Sequence, residues 1–211
     1  MKTSNGKTSV PIVGENVPKK KTYFLPWIGK FIFAIFGWGF KNEFPNISKF
    51  VIIIGPHTSN WDFVFGIAAI FILGAKISWM GKQPLFRKPF GGIVRWLGGI
   101  PIDRSSSHGM VDTMINVYKS MDEFILAIAP EGTRKKVAKW KSGFYRIATG
   151  ADVPILMACF DYKNKIISFG PLIYPSGNLN ADIEDMKLVF ENIRGKKSQQ
   201  KKMHNRYKAH F

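Results

Sequence analysis

The sequence predicts an α/β fold: a single domain with a central mixed, mainly parallel sheet flanked by helices, plus an N-terminal apolar membrane-associating helical segment. Two observations carry the sheet. From Lys49 onward, short runs rich in β-branched and aromatic residues alternate with longer stretches of helical character, the pattern of strands joined by crossover helices. A chain of 211 residues, 45% hydrophobic, is long enough for one well-buried core and short of what two ordinary domains need.

In chain order, residues 50–54, 77–80, 99–102, 124–128 and 153–160 read as strands, and 165–169 as an added edge strand. Helices are expected over 60–73, 86–97, 110–121, 141–150 and 182–193. The apolar run 63–75 is too short to cross a bilayer and reads as a buried helix. Ahead of these lies residues 1–22, which mix Gly, Ser and Pro with a Lys19-Lys20-Lys21 run and read as a flexible basic arm.

Residues 23–44 read as the membrane-associating segment. The stretch 23–40 is strongly apolar and aromatic, but Pro26, Gly29 and Lys30 interrupt it before the ~20 uninterrupted residues of a spanning helix. An interfacial or re-entrant placement follows. Of the chain's 18 Phe residues, Phe24, Phe31, Phe33, Phe36, Phe40 and Phe44 lie here, a density hard to bury against so small a body. The adjacent lysines add a second membrane signal through anionic lipid. Residues 45–193 then form the folded domain, and 194–211 a polar, positive tail that reads as a solvated extension.

Lys and Arg number 31 against 14 Asp and Glu, and the net charge of +17 favours anionic partners: a phospholipid surface, an acidic carrier protein or nucleic acid. Lys and Arg do interleave with aromatics from Trp140 to Arg146, yet no recognisable nucleic-acid motif is present, and the aromatic density of 23–40 suits a bilayer better than a base-stacking groove. No nucleic-acid partner is expected. The single Cys159 has no internal disulfide partner, and its apolar strand setting reads as a buried structural thiol. With no secretory signal pattern at its start, the chain is expected at the cytoplasmic face of a membrane.

Three segments carry chemistry. In Gly55-Pro-His57-Thr-Ser-Asn-Trp-Asp62 a buried strand stops at Gly55-Pro56 and delivers a histidine into a turn. A spacing of five sets two side chains on one helix about 140° apart, so a working His57–Asp62 pair needs His57 before the helix, Thr58 or Ser59 as its cap, and Asp62 folding back from the first turn. An imidazole with a pKa near 6.5 takes a proton from a hydroxyl at neutral pH, and a carboxylate on its far nitrogen fixes the tautomer. No Gly-x-Ser-x-Gly elbow occurs, so direct attack by an acceptor hydroxyl is favoured over an acyl-enzyme.

The second segment, Ala129-Pro-Glu131-Gly132-Thr133-Arg134, follows a strand of core character and falls where α/β folds place their sites. Arg134 offers a planar fork suited to a phosphate monoester, with Lys139 and Lys141 close in sequence. The third, Gly98-Gly-Ile-Pro-Ile-Asp103-Arg104, ends another short strand on an Asp-Arg pair. One sheet would bring all three to a common rim.

These residues resemble the glycerolipid acyltransferase family that includes 1-acylglycerol-3-phosphate acyltransferases. His57-x-x-x-x-Asp62 looks like its first block, Gly99-Ile-Pro-Ile-Asp-Arg104 its second, Pro130-Glu-Gly-Thr-Arg134 its third and Val153-Pro-Ile155 its fourth, in matching order over about half the chain. The resemblance implies that His57 is the general base and Asp62 its partner. It also implies that Arg104, Arg134 and Lys141 contact the acceptor phosphate, and that Glu131, Gly132 and Thr133 belong to the acceptor site. The donor would be acyl-CoA or an acyl carrier protein thioester, the acceptor a lysophospholipid, with no cofactor or metal. Pro56, Pro101 and Ala129 depart from the usual pattern and leave the acceptor open among lysophosphatidate, glycerol 3-phosphate, other lysophospholipids and amino-acid lysolipids. A binding protein that keeps the fold without turnover, and a hydrolase using the same pair on water, are the competing readings.

Overall fold

The computed structural model of the chain describes residues 9–56, 59–102, 107–133, 137 and 139–194. Its elements are α1 (Leu25–Phe36), β1 (Gly39–Lys41), β2 (Lys49–Gly55), α2 (Trp61–Leu73), β3 (Ile77–Lys82), α3 (Gly91–Trp96), β4 (Gly99–Ile102), α4 (Ser107–Ser120), β5 (Phe124–Ile128), α5 (Gly143–Ala151), β6 (Ile155–Asp161), β7 (Ile166–Ile173) and α6 (Leu179–Arg194). The strands form one sheet in the order β1-β7-β6-β2-β5-β3-β4. Strands β2 to β6 run parallel, β7 is antiparallel to β6, and β1 is parallel to β7. The mixed, mainly parallel sheet expected from the sequence is present.

Strand alternation divides the core into two layers. Phe50 and Ile52 of β2 face a cluster with Phe65, Ala68 and Ile72 of α2 and Phe33 of α1. Val51 and Ile53 face the other way, against Val111, Met114 and Tyr118 of α4, Ile147 of α5 and Met186 of α6. A central strand covered on both faces explains the unbroken apolar run that identified it, each large side chain contributing about 1.5–3 kcal/mol when fully buried. Tyr118 joins this core because its hydroxyl donates to the Phe50 carbonyl at 2.8 Å.

Four expectations need correction. The stretch 23–44 is not one membrane-associating unit: α1 buries Leu25, Gly29 and Phe33, while Phe40 sits in β1 and Phe44 in the core beneath it. Protein absorbs half of the aromatic density assigned to lipid. What remains apolar and open is Tyr23 and Phe24, just ahead of α1, and the outer face of α1 itself, with Trp27 75% and Phe31 66% exposed. Gly29, which seemed to interrupt the segment, lies inside α1, where a Cβ would stand 2.5 Å from the Ala68 carbonyl oxygen; its absence lets α1 lie directly on α2.

The arm is anchored at its end. Val17 is buried, the Lys20 N–H donates to Gly74 O at 2.8 Å, and the Lys76 N–H donates to Pro18 O at 2.7 Å. Lys20 itself is held by Trp96, its ammonium donating to the backbone carbonyl at 2.7 Å and lying 3.9 Å from the ring centroid, so it is not simply presented to lipid. The helix expected over 86–97 is present only as the short α3, preceded by a 3-10 turn at Gln83–Phe86, because Pro89 lacks the N–H that a helix interior needs. Finally, 165–169 is no edge strand: β7 extends to Ile173 and is covered by β1. Residues 1–8 of the predicted arm and 195–211, nearly all of the predicted tail, lie outside the described residues.

One glycine is required by the entry into β4. Gly98 has φ +90°, and a Cβ there would lie 2.5 Å from the Ile77 carbonyl oxygen. We predict that Gly98→Ala destabilises the fold by about 2–4 kcal/mol, strain and overlap acting together. A chemical denaturation midpoint unchanged from wild type would refute this.

Candidate active site

The C-terminal ends of β2, β5, β3 and β4 lie side by side, since Ile53 pairs with Ile128, Trp79 with Ala127 and Lys82 with Ile102. This is the common rim anticipated from the three segments. Beside it opens a cleft of about 1220 Å³ lined by residues that include Ile54, Ile67, Ile70, Ala127 and Ile128, with Asp62, Gly132, Thr133 and Lys141 among its polar contributors.

Asp62 is the most deeply buried charged group of the described residues, at 3% exposure in the first turn of α2. Its position is fixed locally. Oδ2 accepts the Ser59 N–H at 2.9 Å, so the carboxylate folds back over the turn that leads into the helix, as the sequence suggested. Ser59 contributes to the start of the helix, its hydroxyl accepting the Trp61 N–H at 3.2 Å, although the N-cap position belongs to Asn60, which makes no side-chain cap. The helix N-terminus also favours the negative charge.

A second contact to Asp62 was not foreseen. Tyr162, one residue past β6, donates its hydroxyl to Asp62 Oδ1. Its only sequence signal was a position just after a strand of the same sheet. Lys82, the last residue of β3, also lines the cleft and was missed for a similar reason.

After β5 the chain turns at Pro130 and Glu131. The Gly132 N–H donates to Ala129 O at 3.0 Å, and the Lys141 N–H donates to Pro130 O at 2.9 Å, tying the start of α5 to this turn. Gly132 has φ +63°, and a Cβ on it would lie 2.9 Å from Lys141 Cδ and Cε: the lysine lays its stem across the glycine backbone. Glu131 is half-buried in the same turn, and Thr133 is exposed on the cleft wall. Thus Asp62, Gly132, Thr133 and Lys141 meet at one cleft, with Glu131 adjoining. His57, Arg104 and Arg134 lie outside the described residues.

Cys159 takes no part in this rim. It is fully buried in β6, and burial pushes its thiol up to about 12. It is a neutral core thiol at neutral pH.

The sequence model of the Acyltransferase family matches residues 38–160, more than half the chain. The chain belongs to the acyltransferase family. It is 32% identical over 117 residues to the 1-acyl-sn-glycerol-3-phosphate acyltransferase of Streptococcus pneumoniae (strain ATCC BAA-255 / R6), a match covering 54% of this chain and 43% of that protein. The aligned stretch therefore spans less than half the relative's length. The crystal structure of the 1-acyl-sn-glycerophosphate (LPA) acyltransferase PlsC from Thermotoga maritima superposes with a TM-score of 0.57, covering 83% of this chain and 80% of that one. At 20% identity that likeness concerns the fold. The family match takes in β1 to β6 except for the last residue of β6, and so contains both strand ends, of β2 and β5, that bear the candidate site.

Proposed function

We propose that this acyltransferase moves a fatty acyl group from a thioester donor, acyl-CoA or acyl carrier protein, to the hydroxyl of a lysophospholipid such as 1-acylglycerol 3-phosphate, in phospholipid biosynthesis at the cytoplasmic face of an anionic membrane. The observation that carries this reading is the cleft itself: a large cavity lined mainly by apolar side chains, suited to an acyl chain, with a buried carboxylate and Lys141 among its lining residues.

His57 is bonded to Pro56, directly after β2, and precedes Asp62 by five positions. In the proposed reaction its imidazole takes the proton of the acceptor hydroxyl as that oxygen attacks the thioester carbonyl. The tetrahedral intermediate collapses with cleavage of the C–S bond, and the imidazolium returns the proton to the departing thiolate. Asp62 fixes the imidazole and balances its transient charge. Arg104, Arg134 and Lys141 receive the acceptor phosphate, and Glu131, Gly132 and Thr133 shape its site.

Membrane association is supported by the outward aromatic face of α1. At 12 residues, about 18 Å, that helix is far short of the ~30 Å hydrocarbon core, and no helix of the described residues is long and apolar enough to cross a membrane. The helix would lie in the headgroup layer.

The test is thiol release from a long-chain acyl-CoA and from an acyl carrier protein thioester over a panel of lysolipids, with the lipid product identified. Release that requires an acceptor supports transfer and names the headgroup. Release of free fatty acid without an acceptor would instead indicate a hydrolase, and failure with both donors in folded, lipid-bound protein would indicate a binding role.

A further inference from the structure

Tyr162 lies outside the sequence blocks that suggested a catalytic site, and its geometry is unusual for a partly exposed tyrosine. The ring packs edge-on against Trp38, with centroids 5.1 Å apart and planes at 89°, and against Phe65 at 6.2 Å and 68°. Trp38 and Phe65 are both buried and stack on each other at 4.3 Å. Two fixed rings therefore set the direction of the phenol. Although 39% of the residue is exposed to water, its hydroxyl turns inward and donates to Asp62 Oδ1.

The same carboxylate takes the Ser59 N–H on its other oxygen, so Asp62 is held from α2's own leading turn and from the end of β6. These are different kinds of constraint. The Ser59 contact is local and moves with the turn, whereas Tyr162 belongs to the sheet. Through it, the carboxylate plane is referred to the rigid strand neighbouring β2, at whose end His57 follows. Burial, then the hydrogen bond to Asp62 and its charge, raise the phenol's pKa well above its ordinary value, so Tyr162 keeps its proton and acts as a donor throughout the neutral range.

We infer that Tyr162 is a positioning residue for acyl transfer, acting through Asp62: its hydroxyl fixes the rotation of the carboxylate that orients His57. This rests on the function proposed above. Tyr162 touches neither substrate nor the reacting atoms in this role, so its loss should appear in kcat and leave binding largely alone.

Removing the phenol oxygen while keeping the ring isolates the contact. In Tyr162→Phe, kcat for acceptor-dependent thiol release is expected to fall about tenfold, the worth of one hydrogen bond to a charged group, with KM for donor and acceptor within about twofold. The deciding comparison is a double-mutant cycle with Asp62→Asn: the Tyr162→Phe effect should shrink to less than about twofold in that background. An equal loss in both backgrounds, or none in the wild-type background, overturns the inference. A second readout needs no turnover. With meta-fluorotyrosine at position 162, the fluorine resonance should move on Asp62→Asn and stay in place on Asp182→Asn, a replacement on α6 across the sheet. A resonance indifferent to Asp62 overturns the contact itself. If wild-type protein transfers no acyl group, the proposed function fails, while the fluorine experiment still decides whether Tyr162 holds Asp62.

Discussion

His57→Ala is expected to lower kcat for acceptor-dependent thiol release by ~100-fold or more, the range that a positioned general base contributes. The acceptor hydroxyl is a poor nucleophile until its proton is drawn away, and the buried acceptors beside the cleft are suited to assisting a base more than to serving as one. Asp62 already accepts from Ser59 and Tyr162, and Tyr162 is held protonated. The thiol of Cys159 is neutral and sealed within β6, so no covalent route takes over when the imidazole is gone. Lipid binding should survive, because Trp27 and Phe31 project from α1 while the cleft opens beside the ends of β2 and β5. The measurement pairs initial rates with vesicle flotation. A rate reduced less than about tenfold, in protein that still floats, would remove His57 from its proposed role.

How much of this was readable in the sequence depended on whether the physical cause was local. The strand at 50–54 was legible because both its faces are covered, which demands an unbroken apolar run. The rim was legible because parallel strands place the loops after them on one side, so Asp62 and the 131–133 turn could be expected together. Hydrophobicity alone, however, does not distinguish lipid from protein as the partner. Phe33, Phe40 and Phe44 resemble Phe31 in sequence, yet those three enter the core and Phe31 faces outward. Gly29 looked like an interruption because the helix it touches lies some forty residues onward. Tyr162 was hidden by the same distance effect, standing 100 positions from the carboxylate it holds.

Arg134→Ala is expected to raise the apparent KM for a phosphate-bearing acceptor, lowering kcat/KM by about 10- to 100-fold with kcat nearly unchanged. That range follows from charge-assisted hydrogen bonds worth about 1.5–3 kcal/mol. Thr133, its neighbour in sequence, lines the cleft, and Lys141, which lies across Gly132, lines it too, so positive charge stands in the cleft beside this turn. Lys141→Ala should act in the same direction by a smaller factor, since an exposed ammonium is a well-hydrated point charge while a guanidinium matches two phosphate oxygens at once. Added salt should weaken acceptor binding in the wild type more than in either variant, because screening acts on the charge that the substitutions have already removed. An uncharged acceptor such as a monoacylglycerol supplies the control. If Arg134→Ala reduces its acylation as much as that of the phosphate-bearing acceptor, the residue is serving the turn that carries Gly132 and not the phosphate, and the acceptor site must be sought along the Lys82 side of the cleft.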